Sequence, residues 1–145
     1  MVVKREAITE RLKALDTTLE ELRHHQDLAW EDFSTTLREQ WIVERGLIAG
    51  AAIIFDIADH ILAAHFGHYA ATYEDSLAEL YARSVISEAL YQQLKGLGGF
   101  RNILVHRYLQ IDAEQTFDNF HKALSVFPQF GLEILTWLAA TASEP

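Results

Sequence analysis

Apolar residues recur at intervals of three and four along most of the chain, which is the spacing of one face of an α-helix. The first predicted helix runs from about Val3 to Trp30. One apolar stripe marks its buried face: Ile8, Leu12, Leu15, Leu19 and Leu22. No stretch alternates clearly between apolar and polar residues, as a half-buried strand would. The pattern therefore predicts an all-α fold.

A second helix of about thirty residues follows, and it would be about 45 Å long. Ser34 or Thr35 can cap its start, because either hydroxyl can accept a hydrogen bond from a free backbone N–H. Gly67 is expected to end it, since glycine readily adopts the left-handed conformation found after many helices. Its buried face is predicted to contain Leu37, Trp41, Ile48, Ala51, Phe55, Ala58 and Leu62.

Two shorter helices are expected next. Thr72 and Asp75 resemble a capping box, and they open a helix that ends near Tyr81. Ser87 can cap a following helix over Glu88 to Leu97. The three glycines at positions 96, 98 and 99 are then expected to loosen the chain.

The last predicted helix begins at Asp112, with Gln115 three residues further on, and reaches about Ala140. Pro128 lies inside this helix and is expected to kink it, because proline removes a backbone donor. Short loops join all of these segments. The chain, residues 1–145, is therefore expected to be a single domain, an up-and-down bundle of about five helices.

The composition narrows the possible functions. The chain has 145 residues, no cysteine and a net charge of −9. Without cysteine it cannot form disulfides, thiolate active sites, iron–sulfur clusters or Cys-type zinc sites. The negative charge argues against a dedicated nucleic-acid coat protein, because neutralisation of phosphate drives such binding. A local basic patch is still compatible with this charge.

The sequence predicts a cytoplasmic protein that does not bind a membrane. Its longest charge-free apolar run, Leu47 to Phe55, has nine residues, whereas a helix that spans a bilayer needs about twenty. The first residues, Met1 to Glu6, lack the apolar stretch and the cleavage site of a signal peptide.

One segment carries most of the candidate chemistry. Gly99 to Tyr108 reads Gly-Phe-Arg-Asn-Ile-Leu-Val-His-Arg-Tyr, with polar groups at both ends and three apolar residues between them. A plain solvated helix has no need of this pattern. The polar residues are therefore candidates for a functional site: Arg101, Asn102, His106, Arg107 and Tyr108.

These candidates do not share one face of a helix. Asn102 and His106 lie one turn apart on the same face, whereas Arg101 and His106 are separated by about 140° around the axis. Either the helix begins irregularly near Arg101, or a second subunit related by a two-fold axis pools its arginine and histidine with those of the first. We favour the second arrangement, a homodimer.

Histidine and arginine together suit RNA cleavage without a metal. The His106 imidazole can exchange a proton near neutral pH and act as a general acid or base. The Arg101 guanidinium keeps its charge, can bind a phosphate and can stabilise the negative charge of a transition state. Removal of a 2′-OH proton would lead to a cyclic phosphate and a free 5′-OH, so a substrate without the 2′-OH would be inert.

The pattern Arg101-x4-His106-x-Tyr108 resembles the Arg-x4–6-His motif, with its trailing tyrosine, of HEPN-domain proteins of the HepT type. These proteins are toxins of toxin–antitoxin pairs. The resemblance covers most of the chain. Asp56 to Ile61 is similar to a polar patch on the family's second helix, and the segment from Tyr73 through Asn102 follows its middle part. The run Gly-Phe-Arg-Asn-Ile-Leu-Val-His-x-Tyr is the most specific match.

The resemblance implies a helical homodimer with the motif in a cleft at the dimer interface, and a metal-independent ribonuclease directed at tRNA. It implies that Arg101 and His106 are catalytic, that Asn102 supports catalysis and that Tyr108 is modified. The implied partner is a minimal nucleotidyltransferase antitoxin of the MntA type, which uses ATP to place AMP on that tyrosine. The adenylate would block the cleft and repel an RNA phosphate. The chain itself is expected to need no cofactor.

Asp56, Asp59 and His60 form a polar patch on the second predicted helix. The i, i+4 spacing of Asp56 and His60 can bind a metal, but a di-metal bundle draws acidic ligands from several helices. We therefore expect no metal there. The patch is instead a candidate for orienting Arg101 or His106, or an exposed or interface surface.

Two other functions stay open at this point. The chain could be a non-catalytic helical scaffold or substrate-binding subunit of a nucleotidyltransferase, with Tyr108 as the target. A histidine phosphotransfer bundle fits less well, because His106 is followed by Arg-Tyr-Leu-Gln and lacks the small residues and lysine of such domains.

Overall fold

The computed structural model describes residues 3–142, and all regular structure in that range is helical. In chain order the elements are α1 (Arg5–Arg23), α2 (Trp30–Thr35), α3 (Leu37–Phe66), α4 (Tyr73–Ala82), α5 (Glu88–Leu94), α6 (Leu97–His106), a one-turn 3-10 helix (Tyr108–Gln110) and α7 (Ala113–Ala142). The all-α prediction is confirmed for this part of the chain. The ends of the predicted domain, residues 1 and 145, lie outside the described residues.

Helix α3 is the centre of the bundle, because it packs against α1, α2, α4, α6 and α7. Most of the face predicted to be buried is buried: Ala51, Phe55, Ala58 and Leu62. Ile48 is half-buried. The apolar side chains of α3 thus form the part of the core against which these five helices pack.

Helix α1 runs antiparallel to α3. At its start, the Lys4 backbone N–H donates a hydrogen bond to Nε2 of His60, near the end of α3. Near its end, the Leu22 side chain packs directly against Gly46, in the first third of α3. The two helices are therefore in contact over almost the whole length of α1.

The prediction that Leu37 and Trp41 are buried is wrong: their side chains are 56% and 63% exposed. Helix α1 ends at Arg23, so the first turns of α3 extend beyond it and have no long neighbour on that side. Val43 is the first residue of α3 that is fully buried. The apolar pattern correctly predicted helix α3, but it could not show where the neighbouring helix α1 ends.

Helix α7 also runs antiparallel to α1. At the start of α1, Nη2 of Arg5 donates a 2.8 Å hydrogen bond to the Leu138 carbonyl near the end of α7. Further along α1, the Leu12 side chain lies against Gly131 of α7. Consequently α3 and α7 run in the same direction, and the short helices α4, α5 and α6 carry the chain back between them. The strict up-and-down alternation expected from the sequence does not hold.

The first predicted helix, Val3 to Trp30, is too long. It ends at Arg23, and a short turn leads to the separate helix α2, which buries Phe33 completely. The apolar stripe stops at Leu22, and the polar run from His24 to Asp27 offers no side chain that the core could bury. This division is one reason why the described chain has seven α-helices instead of about five.

Ser34 and Thr35 do not cap α3. Both lie within α2, and their hydroxyls donate to the Glu31 carbonyl at 3.2 and 2.7 Å. The cap position of α3 is Thr36, whose side chain makes no capping hydrogen bond. At the other end the prediction is confirmed, because Gly67 has φ 65° and ψ 22° and terminates the helix.

The other predicted helix starts are confirmed. The side chains of Thr72, Ser87 and Asp112 each accept a hydrogen bond from a backbone N–H of the helix that follows, at 3.0, 3.2 and 2.9 Å. Each bond satisfies one of the free donors at a helix N-terminus. Pro128 lies inside α7, as expected.

Among the described residues, α3 and the segment Ala113–Thr141 of α7 are long and apolar enough to cross a membrane, judged by length and composition only. The sequence prediction missed this because it considered only uninterrupted apolar runs. Both helices pack against other helices of the bundle, and the core helices of soluble proteins commonly meet the same criterion.

Candidate active site

The motif residues Arg101, Asn102 and His106 lie on α6, which begins abruptly after a tight turn. Helix α5 ends at Leu94, and Gly96, with φ 89°, turns the chain into α6. Leu97, which the sequence placed at the end of the preceding helix, is the first residue of α6.

The glycines do not loosen the chain, contrary to the prediction. Gly98 and Gly99 are helical residues of α6. Gly98 lets α6 approach α4 closely, because a Cβ at this position would lie 2.8 Å from Cβ of Tyr73. The absence of a side chain therefore serves packing of the two helices rather than flexibility.

Glu74 fixes the start of α6. Its two carboxylate oxygens accept hydrogen bonds from the backbone N–H groups of Gly96 and Gly98, at 3.2 and 3.1 Å. A negative charge at this end of a helix is favourable, because the free N–H groups carry partial positive charge. Glu74 thus holds the helix that carries the motif against α4.

Arg101 is held by an aromatic ring. Its guanidinium carbon lies 5.1 Å from the centroid of the Tyr73 ring, within the range of a cation–π contact. The Tyr73 ring in turn stacks on Phe55 of α3, with centroids 4.4 Å apart and planes 25° apart. Since Phe55 is buried in the core, the guanidinium is connected to the rigid centre of the bundle.

The Nε–H of Arg101 is buried and has no hydrogen-bond acceptor among residues 3–142. Such an orphaned donor normally costs about 1–3 kcal/mol, and buried donors in native proteins are almost always paired. The two Nη groups of the same guanidinium are not buried and also have no hydrogen-bond partner among these residues. They are the donors that an external acceptor, such as a phosphate oxygen, can reach.

His106 and Tyr108 lie at the open end of α6. His106 is the last residue of the helix and is exposed, and neither of its ring nitrogens has a partner among the described side chains. Tyr108 begins the 3-10 helix that follows and is 73% exposed. Both groups are therefore accessible to a macromolecule.

Helix α6 is regular from Leu97 onward, so the predicted irregular start near Arg101 is wrong. Five residues along a regular helix place Arg101 and His106 about 140° apart around the axis and about 7.5 Å apart along it. Of the two arrangements considered from the sequence, the one that remains is a site in which a second subunit contributes its arginine or histidine.

Two exposed apolar side chains lie next to the motif. Leu104 is buried, but Val105 is partly exposed, and Leu109 of the 3-10 helix is 88% exposed. Apolar side chains at such a position can pack against a partner surface. This exposed surface is continuous in sequence with His106 and Tyr108.

A cleft opens beside Asn102. It has a volume of about 570 Å³ and is lined by Asp59, residues 70–74, Ser76, Gly98, Gly99 and Asn102. We call it the Asp59 cleft. The Ser76 hydroxyl, itself only 1% exposed, donates to Oδ1 of Asp59 over 2.7 Å. Asp59, one of the three residues of the polar patch predicted from the sequence, thus lines the same cleft as the motif residue Asn102.

The rest of that patch lies elsewhere. The ring of His60 accepts a hydrogen bond from the Lys4 backbone at the start of α1. Asp56 is exposed and has no hydrogen bond or ion pair within the described part of the chain. The structure therefore separates Asp59 from His60 and Asp56, although all three are on α3.

His60, in the polar patch of α3, has a lowered pKa. Burial lowers the pKa of its imidazole, and the positive charges of Arg11 and Lys4 lower it further. These neighbours belong to α1 and its cap, so the shift reflects packing of α1 on α3.

Among the described residues, one group of side chains has the geometry to hold a metal: His68, Asp75 and Glu79, whose ligand atoms lie within 4.8 Å of one another. Asp75 already accepts a hydrogen bond from the Ala71 backbone, and Glu79 accepts one from Nε of Arg83. None of these residues belongs to the Arg101–His106 motif.

No sequence pattern indicates a role for Tyr73, Glu74 or Ser76, although their segment is part of the resemblance. Glu74 is 22 residues from Gly96 and Ser76 is 17 residues from Asp59 in the sequence. No local pattern links partners at such separations. Only the packing of α4 between α3 and α6 brings them together.

The chain is similar to known proteins over most of its length. The family described as Ribonuclease HepT-like matches residues 15–134 of the chain. A protein named tRNA nuclease HepT, from Aphanizomenon flos-aquae (strain 2012/KM1/D3), is 31% identical over 139 residues, covering 94% of this chain and 93% of that protein.

Two solved structures have a similar fold. The tri-AMPylated HEPN toxin of Shewanella oneidensis, in complex with MNT antitoxin, has a TM-score of 0.83 at 22% identity and covers 92% of this chain and 99% of its own. YutE from Bacillus subtilis, a cytosolic protein of unknown function, has a TM-score of 0.82 at 18% identity over 99% of this chain and 96% of its own. At such identities the likeness concerns the fold alone.

The lowered pKa of His60 predicts a pH-dependent stability. The unfolded chain binds a proton at His60 near pH 6.5, whereas the folded chain binds it only at lower pH, so the free energy of unfolding falls as the pH decreases through 6.5. Urea denaturation at about pH 7.5 and about pH 5.5 measures this fall, and we expect His60→Gln to reduce it. His24→Gln, which removes an exposed histidine, is the control, and an equal fall in parent and His60→Gln would contradict the assignment.

Proposed function

This chain belongs to the HepT-like ribonuclease family, and we propose that it is the RNA-cleaving toxin of a toxin–antitoxin pair. The observation that carries the proposal is the environment of Arg101. Its guanidinium is held on Tyr73, has an unpaired buried N–H, and lies on the same helix as the exposed imidazole of His106. These are the two groups that metal-independent cleavage of a phosphodiester requires.

In the proposed reaction, His106 acts on the 2′-OH of the nucleotide before the scissile bond. The imidazole accepts the 2′-OH proton, the 2′ oxygen forms a bond to phosphorus, and the bond from phosphorus to the 5′ oxygen breaks. The products are a 2′,3′-cyclic phosphate and a 5′-OH, whose proton comes from an imidazolium or from water. Arg101 stabilises the charge that develops on the phosphate oxygens.

Tyr73 acts on Arg101 as a positioning residue. A guanidinium that lies on a ring packed against the core loses less freedom on binding a phosphate than one on a mobile side chain. The ring also leaves the edge of the guanidinium available for hydrogen bonds, because a cation–π contact uses only its face.

We propose that the active unit is a homodimer joined near the end of α6. The separation of Arg101 and His106 around one helix favours a site that two copies complete. Exposed Leu109 and Val105 next to the motif are suited to such an interface. A two-fold axis there would place two arginines and two histidines around one groove.

The proposed substrate is tRNA, and the proposed location is the cytoplasm. The substrate follows from the 31% identical relative named tRNA nuclease HepT, which matches nearly the full length of the chain. The cytosolic neighbour YutE and the burial of α3 within the bundle support the location. The net charge of −9 means that RNA binding must depend on local groups such as Arg101 and Arg107.

The proposed antitoxin is a minimal nucleotidyltransferase that transfers AMP from ATP to Tyr108. Tyr108 is exposed on a one-turn helix, two residues from His106, so an enzyme can reach its hydroxyl. The tri-AMPylated toxin from Shewanella, in complex with its antitoxin, supports this kind of regulation for the fold. The added phosphate would repel the RNA backbone next to the catalytic histidine.

We expect Arg101→Ala and His106→Ala each to lower the rate of RNA cleavage at least about a hundredfold, as loss of a catalytic group usually does. Cleavage of a tRNA mixture by purified protein, followed on denaturing gels with analysis of the 5′ ends, measures the loss. Arg38→Ala and His24→Ala remove exposed groups away from the motif and should cleave as the parent does.

The same assay tests the absence of a metal requirement. Cleavage should persist in EDTA and fail on RNA in which the reacting nucleotide carries 2′-deoxyribose. Inhibition by EDTA would contradict the metal-independent mechanism. A parent protein that cleaves no RNA and arrests no growth would instead favour the non-catalytic scaffold.

We expect Tyr73→Leu to lower cleavage by about two- to thirtyfold, which corresponds to the ~0.5–2 kcal/mol of a cation–π contact. Tyr73→Phe keeps the ring face and should keep most of the activity. Because Tyr73 also packs on Phe55, urea denaturation of each variant separates stability from activity. Equal activity of folded Tyr73→Leu and the parent would contradict the positioning role.

Modification of Tyr108 is tested by intact mass after co-expression with the nucleotidyltransferase. We expect mass increments of whole adenylate groups on the parent and none on Tyr108→Phe. Tyr69, another highly exposed tyrosine, provides the control variant Tyr69→Phe, which should still be modified. Adenylates that persist on Tyr108→Phe would show that another residue is the acceptor.

A further inference from the structure

We propose that the Asp59 cleft is a binding site for a guanine base of the RNA, next to the phosphate held by Arg101. This inference rests on the proposed function, because it concerns the substrate of the same site. It adds a determinant of sequence preference that neither the motif nor the relatives provide.

The cleft is open and lined mainly by small groups. Its walls are made of backbone and small side chains from residues 70–72, together with Gly98 and Gly99. At Gly99 no atom lies within 4 Å of the position that a Cβ would occupy, so the helix surface is open there. A volume of about 570 Å³ leaves space for a base and its ribose.

The carboxylate of Asp59 is exposed to the cleft and has one hydrogen-bond partner. The buried Ser76 hydroxyl donates to its Oδ1 and also contacts the Thr72 carbonyl, so Oδ1 is held on one side and Oδ2 has no partner among the described residues. No arginine or lysine of the described residues forms an ion pair with it. It therefore presents free acceptor lone pairs to the cleft.

A carboxylate of this kind selects guanine among the four bases. The Watson–Crick edge of guanine carries two adjacent donors, N1–H and the 2-amino group, which match the two oxygens of one carboxylate. Adenine and cytosine place a ring acceptor beside their single amino group, and uracil has one N–H between two carbonyls. Asn102, in the same cleft, offers an amide N–H to the remaining O6 of guanine.

The charge of the cleft also excludes the obvious competitor, a phosphate. Asp59 would repel an anion, and the other carboxylate of the cleft, Glu74, is occupied by the N–H groups of Gly96 and Gly98. A neutral base with donor groups is the part of an RNA that fits beside Asp59.

The cleft and the guanidinium of Arg101 share the Tyr73 side chain as a neighbour. Tyr73 forms one wall of the cleft, and the guanidinium of Arg101 lies 5.1 Å from the centroid of the same ring. Asn102 is the next residue along α6. A nucleotide with its base in the cleft can therefore place its own phosphate at Arg101, so that guanine is read at one fixed position relative to the cut.

The experiment compares cleavage sites in an RNA of randomised sequence by sequencing the 5′-OH ends. We expect the parent to show guanine at one position next to the cut, enriched about tenfold, as a bidentate contact to a base provides. Asp59→Asn, in which one acceptor becomes a donor, should lose this enrichment. Asp118→Asn makes the same charge change on the exposed side of α7 and should keep it.

Two further experiments test contact with the guanine base itself. Replacement of the selected guanine by inosine, which lacks the 2-amino group, should slow cleavage by the parent but not by Asp59→Asn. Guanosine monophosphate should shift the NMR signals of the Asn102 side-chain amide and the Gly99 backbone in Arg101→Ala, whereas adenosine monophosphate should not.

The outcomes separate the two proposals. An identical base profile for parent and Asp59→Asn, with active cleavage, would overturn the guanine site and leave the ribonuclease intact. Absence of RNA cleavage together with selective binding of guanosine monophosphate would overturn the proposed reaction and support the base site. Absence of both would overturn both.

Discussion

The contact on which the site depends is the stack of Arg101 on Tyr73 and of Tyr73 on Phe55. A surface arginine ordinarily samples many rotamers, and binding must then order it at a cost of roughly 0.5–1.5 kcal/mol. Here the guanidinium lies on a ring that is itself packed on the core. The charge is thereby placed before any ligand arrives, while its buried Nε–H lacks an acceptor within the described chain. The fold thus positions the Arg101 guanidinium and leaves a hydrogen-bond donor of that group unpaired among the described residues.

The second constraint is that α6 is a regular helix. Glu74 and the close approach at Gly98 fix its start against α4, and from there the helix repeat separates Arg101 from His106 around the axis. One chain therefore offers its cation and its imidazole in different directions. The exposed apolar side chain of Leu109 lies close to the motif. A second copy of the chain bound at that surface would supply the arginine or histidine that one chain cannot place at the same phosphate.

The sequence predicted what depends on local pattern and missed what depends on distant packing. Helical periodicity gave α3, α4 and α7, and the caps at Thr72, Asp112 and Gly67 gave several of their ends. The break after Arg23 and the exposure of Trp41 were missed, because each depends on where a neighbouring helix stops. The same is true of the site. Its motif was visible as spacing on one helix, whereas the roles of Tyr73 and Glu74 arise only when α4 packs between α3 and α6.

In the proposed homodimer each of the two sites takes Arg101 from one copy of the chain and His106 from the other, and a mixed dimer tests this arrangement. Arg101→Ala and His106→Ala, each inactive alone, would be co-expressed with different tags and the mixed dimer purified through both. If the groups act across the two-fold axis, one of the two sites in the mixed dimer retains both Arg101 and His106, and about half of the parental RNA cleavage returns. A mixed dimer as inactive as either variant would contradict the account, because each site would then draw both groups from a single chain.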